Sequence, residues 1–331
     1  MHTLNKKLLL FFTLLCTMHN LFAQLRTPAE NKFFRQKEDS LKRYAYEIVN
    51  GKDAAVRFRS DSNFTKIIVR ALLQQNSFFY PFDSLTTISR LYAPDSMFRV
   101  FTWQVVRDDN YCRQRGFIQM KTTNGQLKLF PLRDVSEFTE ADADTIANHG
   151  GWIGAVYYRI ILKEINGKKV YTLLGYDENN ARTTRKYIEV LSFDEQGQPL
   201  LGMQDVFTFQ NDSLPQPPKN RFVLEYKKDA RARLQYDDEM NVIIYDHLIS
   251  ESNEPNKKYT LIPDGDYEAF EWKDGTWQHI DKLFHFKLKD GEAPVPIPLD
   301  KDGGNQLLTE PPQPNAVEKP GTKPVNKKGK P

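Results

Sequence analysis

The stretch Tyr157–Ile165 (YYRIILKEI), then Asn166-Gly167, then Lys168–Gly175 (KKVYTLLG) decides the fold. Two runs rich in β-branched and aromatic residues flank an Asn-Gly pair. That pair suits a two-residue type I′ turn, because both turn positions need positive φ. The reading is an antiparallel β-hairpin, and the same grammar recurs on either side of it. Upstream, Phe101, Trp103 and Val105 share one face of Phe98–Arg107, while Arg115–Lys121 and Gln126–Phe130 flank the turn Thr122-Thr123-Asn124-Gly125. Downstream come Lys186–Phe193, Leu200–Phe209, Arg221–Lys227, Arg231–Tyr236 and Asn241–Leu248. Tyr259–Ile262, Tyr267–Trp272 and Trp277–Leu283 follow, separated by Asp264-Gly265 and Asp274-Gly275. Short runs with a turn signal every ten residues or so describe a meander of antiparallel strands over 97–287. So many strands curl into a barrel-like sheet or split into packed layers.

Ahead of the strands, residues 28–92 carry a helical period. In Glu30–Val49 the apolar residues Phe33, Phe34, Leu41, Tyr44, Ala45 and Ile48 recur at helical spacing, and Asn50-Gly51 is a stop. A second helix is expected after Ser62 or Asn63, through Ile67, Ile68, Ala71 and Leu72 to about Gln75. A third is expected over Asp83–Leu91, with Asp83 as its cap and Pro94 closing the helical part. Helices first and strands after give an α+β class, as a single domain over 24–288. From residue 289 to Pro331 the chain turns to Pro, Gly, Asn and Lys, a composition that cannot bury a core and reads as a disordered tail.

Residues 1–23 read as a cleavable signal peptide. Lys6-Lys7 precede an apolar run from Leu8 to Cys16 that is too short to span a bilayer, and Ala23 supplies the small residue before the cut. Leu21 departs from the usual small residue there, and Leu15 is a poor neighbour for a lipidated Cys16. The expectation is export to the periplasm, outer-membrane association or secretion, with no transmembrane segment in the mature chain. The formal charge of +3 arises at the ends: two lysines in the signal, and five lysines against Glu318 after residue 315, leave −3 for residues 24–315. A mildly acidic body of mixed sign argues against a nucleic-acid surface. Cys112 is the one cysteine after residue 23, so no internal disulfide is expected, and it reads as a partly buried strand residue.

Three segments carry a resemblance: Tyr245-Asp246-His247-Leu248 with Leu261–Tyr267, then Phe270–Trp277, and Phe98–Trp103. Together they resemble a family of uncharacterised exported β-rich proteins of Gram-negative bacteria. The resemblance implies export and this fold class. It attaches no activity and no functional residue.

Chemistry is sparse. His149-Gly150-Gly151-Trp152, in the long connection Pro131–Gly154, is a candidate ligand-binding loop: the glycines admit a close backbone approach, and Trp152 offers a stacking face for a sugar. Its competing reading is a tight turn with Trp152 in the core. Asp246-His247 is an alternative polar site, a carboxylate beside an imidazole, although neighbours on a strand point to opposite faces. No Gly-x-Ser-x-Gly elbow accompanies it. Asp264, Asp266 and Glu268 alternate as three oxygens for calcium, but lack the twelve-residue EF-hand pattern. His279 and His285 have no zinc-ligand spacing. No metal and no cofactor is expected. An envelope protein or glycan is the expected partner, with peripheral contact through the basic tail. Oligomeric state is not readable. The function expected is a non-enzymatic exported binding or structural protein of the periplasm or cell envelope. The competing expectation is an envelope hydrolase acting on glycans or peptides with paired carboxylates.

Overall fold

The computed structural model describes residues 26–283 except 140, 141, 211, 213 and 215. The expected signal peptide, the tail and the stretch 284–288 lie outside the described residues.

Helix α1 (Pro28–Asn50) starts at a capping box: the Glu30 amide bonds the Thr27 hydroxyl, and the Glu30 carboxylate reaches back to the Thr27 amide. Phe34, Leu41, Ala45 and Ile48 make one buried stripe. Helix α2 (Ala54–Leu72) begins well before the expected start, because Asp53 caps it by accepting from the Val56 amide at 2.9 Å. Ser60 and Asp61 look like cap residues but are buried within the helix. Ser60 donates to Glu47, while Asp61 accepts from the Trp103 indole at 2.8 Å and pairs with Arg115 at 3.1 Å.

The expected third helix over Asp83–Leu91 does not form. Phe82 has φ of 56°, and two successive turns close Leu85 onto Phe82 and Ile88 onto Leu85. This places Phe82, Leu85 and Ile88 in the core at a spacing that mimics a helix. The carbonyls of the preceding segment are taken by arginines instead. Arg99, 1% exposed, donates to the Ser77 and Tyr80 carbonyls, Gln119 and the Tyr92 hydroxyl, and Arg90 reaches the Pro81 carbonyl.

The strands fall into three sheets, none closed into a barrel. The first contains β1 (Ser89–Tyr92), β2 (Phe98–Asp108), β3 (Tyr111–Met120) and β4 (Lys128–Leu132), in that spatial order. The second holds β5 (Ala147–Asn148), β6 (Val156–Ile165), β7 (Lys168–Asp177), β8 (Thr183–Phe193) and β9 (Pro199–Leu201), ordered β5-β9-β8-β7-β6. The chain then contributes β10 (Phe207–Thr208) to the third sheet and returns as β11 (Phe222–Lys227) along β8. The remaining strands are β12 (Leu234–Asp237), β13 (Val242–Ser250), β14 (Leu261–Lys273) and β15 (Thr276–Ile280), and the third sheet is ordered β10-β15-β14-β13-β12. Pairing is antiparallel throughout these ladders except between β10 and β15. The β6–β7 turn has positive φ at Asn166 (51°) and Gly167 (77°), as the Asn-Gly pair requires.

The layers stack by alternation. Phe101, Trp103, Val105 and Phe117 face the helices, whereas Phe98, Val100 and Ile118 face the second sheet with Tyr157, Leu173 and Leu191. The other face of the second sheet, through Val170, Leu174, Ile188 and Val190, packs on Ile243, Tyr245, Phe270 and Trp277 of the third. The first and second sheets are thus covered on both faces. That is why β2 from Phe98 to Trp103 and β8 from Tyr187 to Leu191 are buried without interruption.

Candidate functional site

The loop His149–Trp152 is stitched to the end of β4. Arg133 donates to the His149 carbonyl at 2.9 Å, and Trp152 donates to the Arg133 carbonyl at 3.1 Å. The His149 Nδ1–H bonds the Pro131 carbonyl at 2.9 Å. The two glycines are used for close packing within the protein: a Cβ on Gly151 would lie 2.9 Å from the Ala147 methyl, and the Gly150 amide bonds Asn148 at 2.9 Å. Trp152 is fully buried, so its ring offers no stacking face. Its indole donates to the Tyr157 hydroxyl at 2.7 Å, Tyr157 donates to Glu189, and the Arg221 Nε donates to Glu189 at 2.7 Å. Tyr157, Glu189 and Arg221 are each 1% exposed or less. Burial first, then the Glu189 charge, pushes the Tyr157 phenol far above its ordinary range.

Asp246 and His247 diverge. Asp246 accepts from the Arg233 amide at 2.7 Å, extending the β12–β13 ladder. At His247 the ladder bulges: Asp246 pairs with Tyr267 and Leu248 with Pro263, so Asp264-Gly265-Asp266 stand opposite one residue. The expected turn at Asp264-Gly265 is therefore a bulge within one continuous strand, with Gly265 at φ 98°. The bulge aims His247 Nδ1 at Asp264, 2.8 Å away, and leaves its Nε2 3.7 Å from Glu268. Burial alone would raise the Asp264 carboxyl, but the Asp266 amide and His247 hold it below its usual value.

Beneath His247 lies a group of titratable side chains facing the interior. His279 on β15 has both ring nitrogens engaged. Nδ1 lies 2.8 Å from each oxygen of Asp212, and Nε2 lies 2.9 Å from Glu268 and 2.6 Å from the Tyr245 hydroxyl. Tyr245 donates to the same Glu268 oxygen at 2.6 Å. The His279 and Asp212 side chains are 4% and 7% exposed, and His247 at 38% forms the rim. Burial by itself would lower the His279 pKa; the bonds to Glu268 and then Asp212 outweigh it and raise it. When protonated, the ring can donate one N–H to Asp212 and the other to Glu268, so both nitrogens are engaged within the protein. It acts as a clamp, fixing the loop that carries Asp212 onto the third sheet. The two carboxylates sit on opposite ring nitrogens, so no single point adjoins all three groups as a metal ion would require. Among the described residues no such convergence of His, Cys, Asp or Glu occurs.

Sequence reading reached Glu268 as one of three alternating acids and His279 as a strand histidine, but not Asp212 or Tyr245. Asp212 lies 67 residues from His279 with no local pattern to mark it. Cys112 is half-buried on β3, where its thiol donates to Asp177 at 3.3 Å; burial first, then that carboxylate, pushes its pKa up. Compared with protein-family models, curated proteins and solved structures, the chain matches none.

Proposed function

We propose that this chain is an exported, non-enzymatic protein of the periplasm or cell envelope that binds or braces a partner there. The observation that carries the reading is the closure of its charged groups on one another. His279 spends both ring nitrogens on Asp212 and Glu268, and Arg221 spends its guanidinium on Glu189, so these groups join layers and hold loops. A general base needs an unoccupied nitrogen or oxygen within reach of a substrate proton. The export part rests on Lys6-Lys7, the apolar run to Cys16 and Ala23.

The hydrolase alternative has one observation in its favour: Asp264 and Glu268 flank the half-exposed His247. Both are already bonded within the cluster, Asp264 to His247 and Glu268 to His279 and Tyr245, so the binding reading stands ahead of it.

The test is the thermal midpoint of purified residues 24–331 against a panel of envelope glycans, cell-wall peptides and divalent metals, paired with cell fractionation and N-terminal sequencing of the mature chain. A ligand that binds only the folded state adds about 2.7 kcal/mol at a hundredfold excess over its Kd. A shift without substrate turnover supports the reading, as does a cross-linked envelope protein after a flat panel. Turnover of a glycan or peptide that Glu268→Gln abolishes overturns it, and an uncleaved cytoplasmic chain overturns the export part.

A further inference from the structure

Helices α1 and α2 cover the outer face of the first sheet, and the way their acids are used leaves their own outer face basic. Residues 26–75 hold eleven lysines and arginines against six acids, a balance of +5, whereas residues 76–315 stand at −8. Five of the six acids are taken up by the fold. Glu30 and Asp53 cap the two helices. Glu38, 9% exposed, accepts from the Tyr80 hydroxyl and the Ser84 amide. Glu47 accepts from Ser60, and the buried Asp61 is bonded to Trp103 and Arg115. Of the six, Asp39 alone stands exposed without such a task among the described residues.

The basic residues are turned the other way. Lys32, Arg35 and Lys42 on α1 and Arg59, Lys66 and Arg70 on α2 are all exposed. On α2 the three recur seven and four residues apart, which is one helix face, opposite the row of Phe64, Ile68 and Ala71 that packs on the first sheet. The same helices hold apolar side chains out to solvent: Tyr46 and Val49 on α1 and Leu73 just past α2 are 62%, 54% and 66% exposed. Charge alone would suit any polyanion. Long basic side chains combined with exposed apolar and tyrosine side chains suit the boundary of an anionic bilayer, where phosphates meet the charges and apolar tips enter the acyl edge. Among the described residues no helix is long and apolar enough to cross a membrane, so the contact would be made by lying on the surface.

We propose that the outer face of α1 and α2 docks this protein on an anionic lipid surface, its basic residues on the lipid phosphates and its exposed apolar residues at the acyl boundary. The proposal names the partner in the binding reading above and rests on it. Flotation of purified residues 24–331 with vesicles of phosphatidylglycerol and phosphatidylethanolamine, against vesicles of phosphatidylcholine, tests it. The anionic vesicles carry the protein at low salt, the zwitterionic ones do not, and high salt releases it. Each basic residue removed weakens binding about fivefold. The triple variant Arg59→Gln, Lys66→Gln, Arg70→Gln therefore weakens it roughly a hundredfold, as does Lys32→Gln, Arg35→Gln, Lys42→Gln. All six residues are exposed, so the thermal midpoint stays in place. Changing the five lysines after residue 315 to glutamine keeps most of the binding. Tyr46→Ser weakens binding to the vesicles but not to dextran sulfate, a soluble polyanion. Vesicle binding that survives both triple variants, or that is lost with the tail lysines alone, overturns the face. Dextran sulfate binding as tight as vesicle binding, with Tyr46→Ser without effect on either, overturns the lipid as its partner. No vesicle binding alongside a response to a glycan or peptide, or a cross-linked envelope protein, overturns this proposal and leaves the binding reading intact. No response to any ligand or partner removes both.

Discussion

Two places in the molecule are built from the same three parts, a tyrosine, a glutamate and a cation, and they are held very differently. Between the first and second sheets, Tyr157, Glu189 and Arg221 form a network with every member 1% exposed or less. On the third sheet, Tyr245, Glu268 and His279 repeat the arrangement, with Asp212 added behind and the half-exposed His247 in front. Arginine keeps its charge at any pH a folded protein meets, whereas imidazole gives its charge up near neutrality. The inner network is therefore a fixed brace. The outer one is a brace with a pH limit.

The largest expected effect lies at the inner network. Glu189→Ala leaves a buried guanidinium without its carboxylate and costs about 3–5 kcal/mol. Replacing both partners with methionine recovers most of that loss, because desolvation is removed along with the attraction. Urea unfolding of the single and double variants checks this; a double variant as unstable as the single would break the account.

The outer brace comes next. His279→Gln costs about 2–4 kcal/mol near pH 6, by the same logic in a less enclosed place. Its pKa is raised in the fold, so the stabilisation is fully present below the unfolded value near 6.5 and is lost as pH rises through the folded value. The gap between wild type and His279→Gln therefore narrows from neutral toward alkaline pH, while the Glu189→Ala gap stays level. Unfolding midpoints across that range decide it, and parallel curves would remove the distinction between the two networks. Trp152→Phe, which deletes one donor to Tyr157, costs about 1 kcal/mol. The smallest effect is His247→Ala, at about 0.5 kcal/mol or less, because that pair is screened by solvent.

Much of the fold was legible because local rules and tertiary packing agree. The β6–β7 hairpin followed from Asn166-Gly167, and α1 from its apolar stripe. The misreadings arose where a pattern had two physical solutions. Phe82, Leu85 and Ile88 recur at a spacing that serves a helix or a pair of linked turns, and Arg90 and Arg99 from elsewhere chose the turns. Ser62 and Asn63 looked like caps as strongly as Asp53, which is the cap. Trp152 could plug a core or face a ligand; the first sheet packs over it.

The sequence by itself determined the order of elements, helices first and then many short antiparallel strands, because turn chemistry and side-chain period act within a few residues. Only the tertiary structure decided that the strands divide into three stacked sheets, that Asp212 meets His279, and that no third helix forms over 83–91. Those outcomes depend on contacts between segments tens of residues apart. Burial there sets the strength of each charge, and no local pattern records it.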